Sequence, residues 1–190
     1  ELRLVNASRE LPGLTNLQGT HLTVEDGARL TLPGVTSLLQ TNNANLTLTA
    51  RGTDSLLRLP NVTQASVPDF YQLEVFAYGG GRIELPALAS FTGAPDLYAE
   101  GPGSAVDLPA LTGILRNTSR GSAAIEARPG GTVRFPNVTG LDNFTLTLRG
   151  AGELSLLQLT SLTRGELRLV NASRELPGLT NLQGTHLTVE

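Results

Sequence analysis

Residues 11–17 read Leu-Pro-Gly-Leu-Thr-Asn-Leu, and variants of this phrase recur along the whole chain. The eight copies begin at Leu11, Leu32, Leu59, Leu85, Leu108, Phe135, Leu156 and Leu176. Successive starts are therefore about 20 to 27 positions apart, a period typical of solenoid repeats. A repeat of this length is a small unit that cannot bury its apolar face alone and must stack on its neighbours. The phrase predicts a solenoid and not a closed globule.

Short alternating stretches precede each copy of the phrase. The residues His21-Leu-Thr-Val-Glu, for example, lead through the corner Asp26-Gly27 into Leu30-Thr31-Leu32. Alternation with a period of two predicts half-buried strands, and Gly and Pro mark the corners between them. No helical apolar pattern is sustained, so we predict an all-β fold. This fold is a single-stranded parallel β-solenoid (a β-helix) with open ends and two strands in each circuit, or coil.

The strands of successive coils should lie about 4.8 Å apart, with apolar side chains stacked in inward columns. We predict a column of Leu22, Leu46, Leu73, Leu97, Leu146 and Leu167 and a second column of Val24, Leu48, Val75, Leu148 and Leu169. The prolines of the phrase should end the second strand, because proline has no N–H to donate to a ladder. The threonines of the phrase should also stack, with hydroxyl bonded to hydroxyl.

A longer repeat contains the short one. Residues 166–190 repeat residues 1–25 without a difference, at an offset of 165. The seven steps between copies of the phrase, from Leu11 to Leu176, add up to the same offset, so one long unit holds about seven coils. We therefore divide the chain into one seven-coil unit (1–165) and the first coil of the next identical unit (166–190). The residues leave open whether this identity is a natural tandem array or one period framed with an overlap.

The composition excludes several kinds of site and partner. None of the 190 residues is Cys, so neither a disulfide framework nor a thiolate metal site is possible. The formal net charge is −3 and the arginines are scattered, so we predict no nucleic-acid partner. No apolar run reaches the roughly 18 residues of a membrane span. We also find no motif for a cofactor, a metal or a catalytic centre.

The repeated phrase, Leu-Pro-x-Leu-Thr-x-Leu with a period of about 24, resembles the receptor L domain. That domain is a short right-handed β-helix of surface receptors and cell-wall proteins. The whole pattern is also similar to the β-solenoid repeats of large extracellular fibrous and adhesin proteins. These resemblances imply a right-handed β-helix at an extracellular or cell-surface location, and the hand agrees with the rule for parallel connections.

Seven asparagines stand in the N-x-S/T pattern of N-glycosylation acceptors. They are Asn6, Asn45, Asn61, Asn117, Asn137, Asn143 and Asn171. Bulky glycans would solubilise a thin rod and block its lateral aggregation. The alternative is that the threonines of the phrase create some of these patterns incidentally, as at Asn61 and Asn137, and both interpretations stay open.

Six of the eight aromatic residues fall between positions 70 and 98. Phe76 alternates with Val75 and Ala77, so its ring should point outward. Exposed aromatic rings can stack on sugars or contact a neighbouring filament. The candidate lateral or ligand contacts are Phe70, Tyr71, Phe76, Tyr78 and Tyr98. The alternative is that the segment 64–71 folds back over Phe76.

A structural role is the function that these features favour. Open coil ends predict that the main partner of the chain is itself, through coaxial continuation and lateral bundling. The alternatives are a surface adhesin or glycan-binding module, and a β-helix carbohydrate-active enzyme. The enzyme is disfavoured because glycoside hydrolysis needs two carboxylates within roughly 5 to 10 Å. Glu74 is instead expected beside Tyr98, and no acidic column is expected to span successive coils.

Overall fold

The computed structural model describes residues 1–190, with the side chain of Ile114 outside the described set. The chain forms 22 strands, and the described residues contain no helix. Every pair of neighbouring strands is parallel. The fold is therefore a parallel β-solenoid, as the short repeat predicts.

A nine-stranded sheet, the long sheet, runs the length of the solenoid with one strand from each coil. Its strands are β1 (Leu2–Val5), β3 (Leu22–Glu25), β6 (Leu46–Arg51), β9 (Gln72–Tyr78), β12 (Ala94–Glu100), β15 (Ala124–Ala127), β18 (Thr145–Arg149), β21 (Glu166–Val170) and β22 (His186–Val189). Since nine stacked strands are separated by eight circuits, the chain makes about eight coils.

A seven-stranded second sheet follows the first corner of each coil. Its strands are β2 (Ser8–Glu10), β4 (Arg29–Thr31), β7 (Leu56–Arg58), β10 (Arg82–Glu84), β13 (Ala105–Asp107), β16 (Thr132–Arg134) and β19 (Glu153–Leu154).

The prediction of two strands in each coil is wrong, because a third short strand follows the turn of the phrase. The third strands form two three-stranded sheets. One sheet contains β5 (Ser37–Leu39), β8 (Gln64–Ser66) and β11 (Ser90–Thr92), and the other contains β14 (Thr112–Arg116), β17 (Asn137–Asp142) and β20 (Ser161–Thr163). The residues after the threonine are few and mixed in polarity, so alternation did not reveal a strand there.

The first four residues of the phrase form a β-turn. In the second copy, the N–H of Val35 donates to the carbonyl of Leu32, and Pro33 occupies the second position of the turn. Proline fits this position because its φ is preset. The seventh copy has Leu157 in place of proline and still closes the turn, with a hydrogen bond from Leu159 N to Leu156 O of 3.1 Å. Proline therefore favours the turn but is not required for it.

The threonines of the phrase stack on one another, but their hydroxyl groups do not bond to each other. The Thr160 hydroxyl donates to the main-chain carbonyl of Thr139, 3.0 Å away, and Thr180 donates in turn to the carbonyl of Thr160 at 3.3 Å. Each of these threonines thus ties its coil to the backbone of the preceding coil, in addition to the ladder hydrogen bonds.

The inward columns of the long sheet are confirmed in face but not everywhere in register. Leu22 pairs with Leu48 and not with Leu46, and Val75 pairs with Leu97. The first column is Leu2, Leu22, Leu48, Val75, Leu97, Ile125, Leu146, Leu167 and Leu187. The error arose because β6 and β9 extend further at their N-terminal ends, and a two-residue shift keeps the same face inward.

The second column narrows to alanine in the middle of the solenoid. Ala50, Ala77, Ala99 and Ala127 are fully buried there. At the adjacent corner a Cβ on Gly81 would collide with the carbonyl oxygen of Ala50, and a Cβ on Gly131 with that of Ala99. Glycine is required at these corners because each one rests directly on the backbone of the preceding coil.

Candidate functional site

Three of the five predicted aromatic contact residues form one cluster on the outer face of the long sheet. Phe76 on β9 and Tyr98 on β12 are Cα partners, and their ring centroids lie 6.2 Å apart at 84°. The Tyr78 ring lies 5.2 Å from that of Tyr98 and 6.1 Å from that of Phe76. These three half-buried rings, the aromatic cluster, face outward because their strand neighbours face the core.

Cations and a carboxylate surround the aromatic cluster. The Arg51 guanidinium lies 5.3 Å from the Tyr78 ring centroid, and that of Arg128 lies 5.1 Å from the Tyr98 ring centroid. Both are cation–π contacts. The Tyr98 hydroxyl donates a hydrogen bond to Glu100. Burial and this hydrogen bond raise the pKa of Tyr98, so its phenol stays neutral in ordinary buffers.

The other two predicted contact residues lie apart from the aromatic cluster. Phe70 is exposed on the loop that follows β8, with a φ of 70°. The Arg120 guanidinium lies 5.4 Å from its ring centroid. Tyr71 is half-buried and begins the approach to β9. The Phe70 ring therefore contacts a side chain of a later coil, and it is not part of the three-ring cluster with Phe76.

Two carboxylates lie side by side next to the aromatic cluster. Glu74 and Asp96 are Cα partners on β9 and β12, so the expectations that Glu74 adjoins Tyr98 and that acids avoid successive coils are wrong. Both errors follow from the two-residue shift in register. Glu74 accepts hydrogen bonds from Asn45 Nδ2 at 2.6 Å and from Thr47 Oγ1 at 2.7 Å.

Burial raises the pKa of Asp96 to about 6, and the nearby charges of Glu74 and Glu126 act in the same direction. Glu126 behaves in the opposite way. Burial acts to raise its pKa, but hydrogen bonds from Arg128 at 2.9 Å and Arg149 at 2.8 Å outweigh burial and lower it. The outer face thus holds one carboxyl that titrates near neutrality beside one that is firmly ionised.

Every sequon asparagine has a local structural role. Asn6, Asn143 and Asn171 have φ values of 46°, 63° and 48°, a left-handed conformation that asparagine tolerates better than most residues. Asn61 and Asn137 each donate Nδ2 to the carbonyl of the phrase proline one coil below, at 2.8 Å. These backbone requirements supply a reason for the frequency of asparagine that does not involve glycans.

Exposure divides the sequons into three groups. Asn6, Asn61, Asn137, Asn143 and Asn171 are exposed, and Asn45 is half-buried. Asn117 is buried, with its Nδ2 bonded to the carbonyl of Gly121 at 2.9 Å and its Oδ1 accepting from Ser119 N at 3.1 Å. Ser119, the third residue of that sequon, is also buried. A glycosyltransferase could therefore not reach Asn117 in the folded chain.

Identical residues are buried in the first copy of the 25-residue repeat and exposed in the second. Leu22 and Val24 are 0% exposed, whereas the matching Leu187 and Val189 are 55% and 68% exposed. Leu17 is 4% exposed and its match Leu182 is 44% exposed. The first copy is covered by the coil that follows it, and β22 has no strand beyond it in the long sheet. The sequence identity alone did not reveal this difference.

Polar groups distinguish the two copies in the same way. His21 Nδ1 accepts a hydrogen bond from the N–H of Thr47 in the next coil, at 3.1 Å. The N–H of Gly19 donates to Gln40 Oε1 at 3.0 Å. The matching residues His186 and Gly184 lie at the exposed end. We call the outward side of residues 182–190 the open end.

Comparison of the chain with protein-family models, curated proteins and solved structures found no match. The resemblance to receptor L domains and to surface adhesins therefore rests on the repeated phrase alone. Among the described residues no helix is long and apolar enough to cross a membrane. In the same part of the chain no three His, Cys, Asp or Glu side chains are grouped so that they could hold a metal ion.

Proposed function

We propose that the chain is a structural segment of an extracellular or cell-surface rod, built from tandem 165-residue solenoid units. The observation that carries this proposal is the difference between Leu22 and Leu187, which are the same residue in two identical segments. The coil that covers Leu22 begins at residue 26, and a following unit would place the same coil over Leu187. Covering each exposed apolar side chain in this way stabilises the rod by about 2 kcal/mol.

The ladders supply the mechanical reason for a rod. Backbone hydrogen bonds between parallel strands run along the long axis, one set for each sheet, and the side-chain bonds of Asn61, Asn137 and Thr160 run in the same direction. Many such bonds are loaded together when the rod is pulled. Without disulfides, the resistance of the rod comes from these ladders and from the apolar columns.

Proteins with one, two and three copies of residues 1–165, each followed by residues 166–190, test the proposal. Each added unit should lengthen the particle by about 34 Å, since seven coils each rise about 4.8 Å. Electron microscopy and small-angle X-ray scattering measure this increment at constant cross-section. Added units that fold as separate beads, or that thicken the particle, would contradict the proposal.

An extracellular rod would carry glycans at its exposed sequons. Secretion of the chain from a glycosylating host, followed by intact mass and peptide mapping, measures their occupancy. We expect modification among Asn6, Asn61, Asn137, Asn143 and Asn171, and none at Asn117. Glycan at Asn117 would mean that the chain is modified before this coil folds.

A glycan-binding surface of an adhesin is the second candidate function, and the aromatic cluster favours it. Three rings in contact, flanked by Arg51 and Arg128, offer a surface on which a sugar can stack. Phe76→Ala should then abolish retention on a glycan array while leaving the unfolding transition cooperative. Phe70→Ala is the matched control, because Phe70 lies outside the cluster.

We do not propose an enzyme. The Glu74–Asp96 pair is the feature that a carbohydrate-active enzyme would use, since paired carboxylates can serve as acid and base. Turnover of a polysaccharide that Asp96→Asn abolishes would replace the structural proposal with that third function.

A further inference from the structure

We propose that the 190-residue chain assembles head to tail by exchanging its identical terminal segments. Residues 166–190 of one molecule displace residues 1–25 of a second copy and pack against residues 26–51 of that copy. The result is a continuous solenoid in which the long repeat runs from molecule to molecule. This inference concerns noncovalent joining of separate chains, so it stands apart from the covalent array of the proposed function.

The contacts at such a joint are already present within the chain. Leu22 pairs with Leu48 and Val24 with Ala50 in the long sheet, and Ser8 pairs with Arg29 in the second sheet. The lower partners of these pairs recur as Leu187, Val189 and Ser173. Residues 166–190 can therefore form the same hydrogen bonds and bury the same side chains as residues 1–25, because the two segments are chemically identical.

Simple stacking of two intact molecules does not give a continuous solenoid. The long sheet ends in β22, whereas the second sheet reaches only as far as residues 173–175, one circuit lower. Placing β1 of a second molecule on β22 would align two strands of the long sheet but leave the second sheet one strand short. Exchange removes the gap, because β4 of the second molecule then lies directly above residues 173–175.

The displaced segment can leave through an exposed corner. Asp26 and Gly27 join residues 1–25 to the rest of the chain, with φ values of 54° and 77°. Asp26 is exposed and Gly27 half-buried, so the chain can redirect there without disturbing the core. Domain swapping typically uses a connection of this kind.

The free-energy balance of the exchange is close, because the joint replaces one interface with an identical one. Assembly covers the open end, which includes Leu182 and Leu187. The released segment loses the pairing of β1 with β3 but regains its conformational entropy. Its first strand contributed little burial, since Leu2 and Leu4 are only half-buried and Val5 is exposed. The balance therefore depends on protein concentration.

One substitution placed in either copy tests the proposal in proteins of equal composition. Leu22→Asp introduces a charge that destabilises residues 1–25 on their own coil but leaves residues 166–190 intact. It should lower the concentration for half-assembly by about tenfold or more. Leu187→Asp places the same charge on the exposed open end, so it should leave the fold intact and abolish assembly. Sedimentation velocity across a concentration series measures both effects.

The double variant Leu22→Asp with Leu187→Asp separates exchange from aggregation. It should be monomeric, because its open end cannot enter the vacated position, whereas aggregation through a loosened segment would persist. Assembly of the double variant to the same extent as Leu22→Asp would overturn the proposal, as would a monomeric Leu22→Asp protein at every concentration. Equal assembly of the two single variants would also overturn it.

Hydrogen exchange of the assembled Leu22→Asp protein identifies the exchanged segment. The substitution gives the peptides of residues 1–25 a distinct mass, so they can be told apart from those of residues 166–190. We expect fast exchange in the first segment and new protection in residues 186–190. The opposite pattern would mean that the molecules join without exchange. The length increment of covalently linked units tests the proposed function separately, so either idea can fail alone.

Discussion

Asp96 stands directly beside Glu74, because the two residues are Cα partners on adjacent coils of the long sheet. Burial and the charges of Glu74 and Glu126 favour the protonated form of Asp96 in the folded chain, and its pKa is raised to about 6. The unfolded value is near 3.8. The stabilising effect of its protonation is therefore complete below pH 3.8 and is lost as the pH rises through about 6.

Asp96→Asn should raise the free energy of unfolding at pH 7.5 by about 1 kcal/mol, after allowance for solvent screening of this partly exposed group. The advantage should disappear as the pH falls from about 6 to 4, where wild-type Asp96 becomes protonated. Urea unfolding of both proteins across this range measures the difference. Glu74→Gln should bring the pKa of Asp96 closer to its usual value. A pH-independent difference for Asp96→Asn would contradict the assigned titration.

Gly81→Ala should destabilise the chain by about 2–3 kcal/mol, because the new methyl group would collide with the carbonyl of Ala50. Gly13 is the matched control. A Cβ at Gly13 meets no atom within 4 Å, so Gly13→Ala should leave stability unchanged or slightly raised. Thermal and urea unfolding measure both variants. Equal effects at the two glycines would mean that the close approach of coils at the corner is incorrect.

Asn117→Ala should cost about 1–3 kcal/mol, since it removes a buried amide that bonds to Gly121 and Ser119. Thr118→Ala is the control, because it changes the exposed middle residue of the same sequon and should be nearly neutral. Urea unfolding measures both variants. In a glycosylating host the Asn117→Ala protein should carry the same glycan mass as the wild type. Loss of one glycan mass would contradict the burial of this side chain when the chain is modified.

His21→Ala and His186→Ala change the same residue of the two identical segments. His21→Ala should cost about 1 kcal/mol in urea unfolding, because the N–H of Thr47 loses its acceptor. His186→Ala should have no measurable effect in the 190-residue chain, since His186 lies at the open end. With a further unit attached, His186→Ala should become as costly as His21→Ala. Unchanged stability in that longer protein would argue against coaxial continuation.

Much of the fold follows from local sequence patterns. The phrase beginning at Leu32 closes a β-turn, and the alternation at Leu22 and Val24 places both side chains inward, as predicted. The outward direction of Phe76 also follows from alternation. Such features depend on a few neighbouring residues, so a local pattern is enough to predict them.

The parts that the sequence did not predict involve relations between coils. The pairing of Glu74 with Asp96, and of Phe76 with Tyr98, depends on register. A shift of two residues keeps every inward residue inward, so alternation cannot distinguish the two alignments. The third strand was missed for a different reason, because its few mixed residues carry no clear period.

The sequence by itself determined an all-β solenoid, the corner positions, the inward face of each strand and the 165-residue period. Only the tertiary structure decided which side chains become neighbours across coils, and which copy of the repeated segment is covered. The physical reason is that alternation is set within one strand, whereas register and burial are set by the backbone of the next coil. At Gly81 and Ala50 that backbone approaches so closely that it fixes the alignment of both.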